Sequence, residues 1–155
     1  MQTYSFKNVS LFVNGRAITD FYEGDDIITA ARREDAASDV VGADGKMAVA
    51  IHANKSGTIT FRLKQTSKDS GYLHSLVTAS QAGSFTVVQC TVKDARRKDV
   101  ASGTLGYILK PADMVRGQGI NLEEWTIVQE DLFISSDEGS TALGAVAQAL
   151  GFAGI

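Results

Sequence analysis

Residues 56–77, SGTITFRLKQTSKDSGYLHSLV, change period midway. Ile59, Phe61 and Leu63 alternate with Thr58, Thr60, Arg62 and Lys64, the period of a half-buried strand. After Gln65 the apolar positions become Tyr72, Leu73, Leu76 and Val77, the spacing of one helical face. Ser67 can cap that helix, because its hydroxyl can accept from an orphan amide, and Gly83 can end it. The apolar face of the strand must enter a core. The polar face must look at water, at another subunit or into an enclosed channel.

The same reading predicts strands elsewhere. YSFKNVSLFVNGRAITDF reads as two strands around Asn14-Gly15, a pair that tolerates the positive φ of a tight hairpin. DDIITAARRED reads as a strand ending in charge. In AASDVVGADGKMAVAIHAN a turn falls at Asp44-Gly45 and a strand runs from about Met47 to Ala53. SFTVVQCTVKD, SGTLGYILKP and the long NLEEWTIVQEDLFIS complete the set. STALGAVAQALGF sets Leu143, Val146, Ala147 and Leu150 on one helical stripe. Seven or eight short strands at this spacing predict a mainly β fold, a β-sandwich or barrel with one flanking α-helix and a C-terminal helical segment. A strand as long as residues 121–135 would be an aggregation hazard at an open edge unless something covers it.

Composition narrows the function. The 155 residues suit one domain with one core. A net charge of −3 gives no basis for tight nucleic-acid binding, which needs phosphate-neutralising cations. Cys90 stands alone, so no internal disulfide is available, and within FTVVQCTV it reads as a small buried hydrophobe. The opening residues do not read as a signal peptide. Residues 139–155 are uncharged but too rich in Gly, Ala and Ser to read as a membrane span.

Little catalytic chemistry is visible. His52 and His74 are far apart and read as polar-face positions, and no His, Cys or acidic group has metal-ligand spacing. GADGK lacks both the spacing and the following helix of a phosphate loop, and RGQGIN lacks the third glycine of a dinucleotide fingerprint. The pairs Asp25-Asp26, Glu34-Asp35, Glu123-Glu124 and Glu130-Asp131 would point to opposite strand faces, so they read as solvated charge rather than acid–base dyads. DARRKD reads as a charged hairpin tip. The sequons at Asn8 and Asn54 carry no weight without secretion. Trp125 suits either a core or an interface anchor. What stands out instead is surface: Thr-, Arg- and Lys-bearing strand faces, and two weakly patterned segments at 35–50 and 112–122 that resemble arms.

The order of these elements resembles the tail tube proteins of tailed bacteriophages, particularly the small subunits of contractile tails. YSFKNVSLFVNGRAITDF, DDIITAARREDAASDVVGADGKMAVAI and SGTITFRLKQTSKDSGYLHSLV carry the resemblance, most specifically a strand, then QTS, then a helix with Leu73 and Leu76. It spans nearly the whole of 1–155 as a single tail-tube-like domain with an assembly arm at about 35–50. It implies a non-enzymatic, cofactor-free and metal-free subunit. Such subunits form hexameric rings by joining inner sheets, and the rings stack into a hollow tube. The implied partners are copies of itself, a tape-measure protein and a sheath; DNA passes through the lumen without specific binding, and no membrane is involved. The implied location is the virion tail, after synthesis in the host bacterial cytoplasm. Val40, Val41, Asp44, Gly45, Lys46 and Met47 are the expected ring-to-ring contact. Asp26, Glu34, Glu124 and Glu130 are the expected lumen acids, in keeping with the acidic lumens of such tubes. Pyocin and secretion-system tubes share the fold and form the first alternative. A small β-barrel binding module is the second; it would need a concave aromatic site, and the aromatics here are sparse and spread.

Overall fold

A computed structural model describes residues 3–96 and 98–136. The C-terminal stripe of Leu143, Val146, Ala147 and Leu150 lies outside the described residues. A 3-10 turn at Phe6–Asn8 leads into β1 (Val9–Val13) and β2 (Arg16–Ile18). The predicted first strand therefore starts late, because the Ser5 hydroxyl accepts from the Lys7 amide and holds a turn there instead. Asn14 and Gly15 take φ of 50° and 81°, the geometry that a two-residue hairpin requires. β3 (Ile28–Arg32), β4 (Ala37–Val41), β5 (Met47–Ile51) and β6 (Gly57–Lys64) follow, then helix α1 (Lys68–Gln81). The described chain finishes with β7 (Cys90–Asp94), β8 (Asp99–Gly103), β9 (Gly106–Lys110), β10 (Leu122–Gln129) and β11 (Leu132–Ser135).

Three antiparallel sheets result, ordered β11-β8-β7-β1-β2, β3-β6-β10-β9 and β4-β5. The ladders among the described residues do not close a barrel. Leu11, Val13, Cys90 and Leu132 of the first sheet meet Ile59, Phe61, Leu63, Trp125 and Ile127 of the second in one core, and Leu73 of α1 joins them. Each fully buried large apolar side chain contributes about 1.5–3 kcal/mol relative to exposure. The predicted alternation of β6 holds at every position, with Ile59, Phe61 and Leu63 buried.

Two expected strands prove to be halves of different sheets. NLEEWTIVQEDLFIS divides into β10 in the four-stranded sheet and β11 in the five-stranded one. Its phase shows why. Trp125, Ile127 and Gln129 face inward at odd positions, then Leu132 does so at an even one, so the chain must break pairing between them. The Glu130 amide donates to the Leu105 carbonyl and the Leu132 amide to the Lys55 carbonyl across that break. SGTLGYILKP likewise spans the end of β8, a turn and β9. SFTVVQCTVKD becomes strand only at Cys90. Asp94 of β7 pairs with Asp99 of β8, so these strands turn back where the charged tip is expected.

Helix α1 has both predicted ends. The Ser67 hydroxyl accepts from the Asp69 amide at 3.2 Å, and Gly83 takes φ of 99° past the last turn. Asp69 then fastens the helix to β2: its carboxylate accepts from Arg16 Nε at 2.9 Å and from the Thr19 amide at 2.8 Å. The same guanidinium lies 4.7 Å over the Tyr72 ring.

The crossing from β10 to β11 is crowded. Gln129 is fully buried and its Nε2 donates to the Val88 carbonyl at 3.0 Å. A Cβ on Gly103 would stand 2.1 Å from Gln129 Oε1, so a side chain there cannot fit without moving the amide. Gly103→Ala is expected to lower stability by about 1–3 kcal/mol, measured by urea unfolding. Cys90 is as buried as expected, and burial alone pushes its thiol from 9.0 up to about 12. Its neutral form therefore favours folding fully below the ordinary thiol range, and that contribution is lost as pH rises toward 12. A thiol reagent at neutral pH should label Cys90 only upon unfolding; rapid labelling of the folded chain would contradict this burial.

Candidate assembly surfaces

The register of the four-stranded sheet defines two ends. Arg32, Gly57, Gln129 and Gly106 lie at one, and Lys64 and Leu122 at the other, where the loop 111–121 also returns. The sheet's outer face carries Thr58, Thr60, Arg62 and Lys64 beside Glu124 and Thr126. It is knit by a Thr60–Thr126 hydroxyl pair at 3.3 Å and an Arg62–Glu124 ion pair at 3.1 Å. Because both members of that pair are well exposed, it contributes at most about 1 kcal/mol. Its effect is to neutralise the centre of a hydroxyl-rich surface. Strands β3 and β9 leave their outer edges unpaired among the described residues.

The hairpin β4–β5 is the connection from β3 to β6, and so it leaves the sheet from the first of the two ends. The predicted turn is present: Gly45 takes φ of 82°, the Gly42 amide donates to the Lys46 carbonyl at 2.8 Å, and Asp44 Oδ1 accepts from the Lys46 amide at 3.1 Å. β4 and β5 pair only with each other. The register puts Val41, Met47, Val49 and Ile51 on one face, with Ala37 and Asp39, and Ser38, Val40, Ala48 and Ala50 on the other. Every residue of both strands is exposed, Ile51 at 80% and Val40 at 72%. At the base, His52 contacts the Asp35 carbonyl through Nδ1 and the Ser38 hydroxyl through Nε2, each at 3.0 Å. A two-stranded hairpin with an uncovered apolar face is marginal in water. It calls for a partner.

At the opposite end, the loop 111–121 borders a groove of about 390 Å³ lined by Tyr22, Leu109, Val115, Leu122 and Glu124 among others. Met114, on the same loop, is 79% exposed. A buried polar chain ties this loop to the core. The Trp125 indole N–H donates to Ser70 Oγ at 3.2 Å, the Ser70 hydroxyl donates to Glu123, and Arg116 stands 3.8 Å from the other oxygen of Glu123. Glu123 thus departs from the expectation of solvated charge, whereas its neighbour Glu124 keeps to it on the opposite face. Trp125 is core, and the His74 ring, exposed as expected, lies edge-on to it at 4.7 Å.

The four expected lumen acids lie on four different segments. Glu124 lies on the sheet's outer face, Asp26 in the β2–β3 loop, Glu34 just beyond β3 and Glu130 in the turn after β10. The six expected contact residues do gather, at and around the hairpin tip. Sequence reading missed the apolar exposure of Leu109, Val115 and Leu122; the only available signal was the lack of pattern in 112–122. No group of three or more metal-ligating side chains occurs among the described residues, and no described helix is long and apolar enough to cross a membrane.

Comparison with known proteins decides the family. The family description Bacteriophage PhiTE tail tube protein matches residues 1–134. The chain belongs to this tail tube family. It is a structural family of virion tails, not an enzymatic one. No curated protein sequence matches this tail tube chain significantly. Among solved structures it is similar to the tube-terminating cap of the anti-feeding prophage, with TM-score 0.61 and 9% identity, covering 88% of this chain and 93% of that one. It is also similar to the sheath/tube terminator of an extracellular contractile injection system in its extended state, with TM-score 0.61 and 11% identity over 87% and 98% of the two chains. A chain of the native gene transfer agent virion gives TM-score 0.60 and 11% identity over 86% and 99%. At these identities the likeness is one of fold.

Since the hairpin of the tail tube chain pairs with neither main sheet, deleting residues 40–46 is expected to leave the unfolding free energy of the subunit nearly unchanged, within about 0.5 kcal/mol. Circular dichroism against temperature measures it. A large loss would place the hairpin in the fold rather than on its surface.

Proposed function

We propose that the protein is the repeating subunit of a contractile phage tail tube, forming six-membered rings that stack into a hollow passage for DNA. One observation carries the reading: a tail tube chain exposes both faces of an apolar hairpin at one end of its sheet. The arm from Ala36 to Val49 makes the ring-to-ring contact, through Val40, Val41, Met47 and the Asp44-Gly45-Lys46 tip. The edges of the four-stranded sheet join laterally, and its hydroxyl-rich outer face lines the lumen. Closing a ring in this way removes exposed strand edges. On this face Glu124 neutralises Arg62 and Asp113 lies 3.6 Å from Lys110, with Lys64 at its end; a lumen mostly of Thr hydroxyls would let phosphate slide where a run of unpaired cations would hold it. A ring of six carries −18 overall, which suits repulsion of DNA. Before ejection the lumen would hold a tape-measure protein, and a sheath would surround the tube.

The similar structures named as caps and terminators favour a second reading, a single terminal ring on a tube made by another chain. A pyocin-like or secretion tube is the same physics with another cargo. Electron microscopy of the concentrated full chain separates these readings. Sixfold rings and hollow filaments are expected of a repeating subunit, rings that never elongate of a terminator, and a strict monomer at every concentration counts against both. Thr60→Lys, on the hydroxyl-rich face but outside the groove beside the loop 111–121, is expected to leave filaments intact and to slow DNA ejection from particles that carry it. Ejection at the normal rate would remove this face from the lumen.

A further inference from the structure

We infer that the groove beside the loop 111–121 is the socket for the β4–β5 hairpin of a copy in the next ring. This rests on the tube reading and names the surface that receives its contact. The argument is one of placement. The hairpin leaves the four-stranded sheet at the Arg32–Gly57 end, and the groove lies toward the Lys64–Leu122 end of the same sheet. Complementary features at opposite ends of one element make a heterologous, head-to-tail contact, which propagates along an axis instead of closing on itself.

The chemistry of the two surfaces agrees. Val41, Met47, Val49 and Ile51 form the hairpin's apolar face. Leu109, Val115 and Leu122 line the groove, Met114 and Ile120 are exposed on its loop, and a Lys110–Asp113 ion pair at 3.6 Å stands at its wall. A single contact of this kind is small beside the roughly 1,000 Å² of total buried surface at which specific interfaces begin. Each copy gives one hairpin and one groove, so every copy in a ring boundary engages and the weak single contact is multiplied. The groove is also held in shape. The Asn121 amide donates to Gln65 Oε1 at 3.2 Å, the Gln65 amide to the Asn121 carbonyl at 3.0 Å, and Arg116 reaches buried Glu123. A socket braced in this way loses little freedom when occupied.

Cysteine pairing tests the contact, because Cys90 is buried and does not compete. Full-length Val49→Cys and Val115→Cys chains are mixed, assembled and oxidised, with the unaltered chain assembled in parallel. A 49–115 disulfide between two copies is expected, since bridging needs Cα atoms within about 7 Å. A second apolar patch lies between α1 and β9, where exposed Phe85 sits with Leu76, Val77 and Tyr107. Filaments in which Val49→Cys bridges instead to a Phe85→Cys chain, or to neither, would overturn the socket while leaving the tube. An unaltered chain that forms neither rings nor filaments would overturn the tube reading and the socket with it. As a second arm, Val115→Asp should unfold like the unaltered chain yet give rings without filaments; normal filaments would overturn the groove's role.

Discussion

Eight residue pairs join β6 to β10, from Lys64↔Leu122 to Gly57↔Gln129. Along this ladder one face is Leu63, Phe61, Ile59, Trp125 and Ile127, all fully buried, and the other is Arg62, Thr60, Glu124 and Thr126. Because side chains alternate strictly, the ladder cannot bury one set without presenting the other. The core thereby determines the orientation of the hydroxyl-rich face. A slip of one residue would turn threonines and an arginine into the core, at a cost no surface contact could offset.

The ladder also sets where the hairpin and the groove lie. β3 pairs with β6 from Ile28↔Phe61 to Arg32↔Gly57, so the chain between them must leave and return at one end, carrying β4 and β5 with it. The loop before β10 must return at the other end. In the proposed tube, polarity follows from strand connection, not from any separate device. At that second end the polar chain from Trp125 through Ser70 and Glu123 to Arg116 couples loop, helix and core. A satisfied buried polar network specifies a single arrangement.

Much of this was legible beforehand. The strand and helix within 56–77, the Asn14-Gly15 and Asp44-Gly45 turns, the Ser67 cap and the burial of Cys90 depend on local period and local φ, which a sequence displays. β8 and the break between β10 and β11 were not read: the polar Gln129-Glu130-Asp131 that marks the break joins two apolar alternations whose phase differs by a single step, and polar residues also fit the outer face of one long strand. Glu123 looked like its neighbour Glu124; only the approach of Ser70 from another element distinguishes the buried carboxylate from the exposed one.

By itself the sequence determined which faces are apolar and where the chain turns, because alternation and positive φ are properties of neighbouring residues. It therefore determined that the segment 35–50 holds a hairpin tip and that the face of Thr58, Thr60, Arg62 and Lys64 is not core. Tertiary structure alone decided that β10 and β11 belong to different layers, that Glu124 meets Arg62, and that the hairpin and the groove stand at opposite ends of one sheet. Those are relations between residues distant in the chain. They follow from how long-range strand pairs share one buried volume, which no local pattern records.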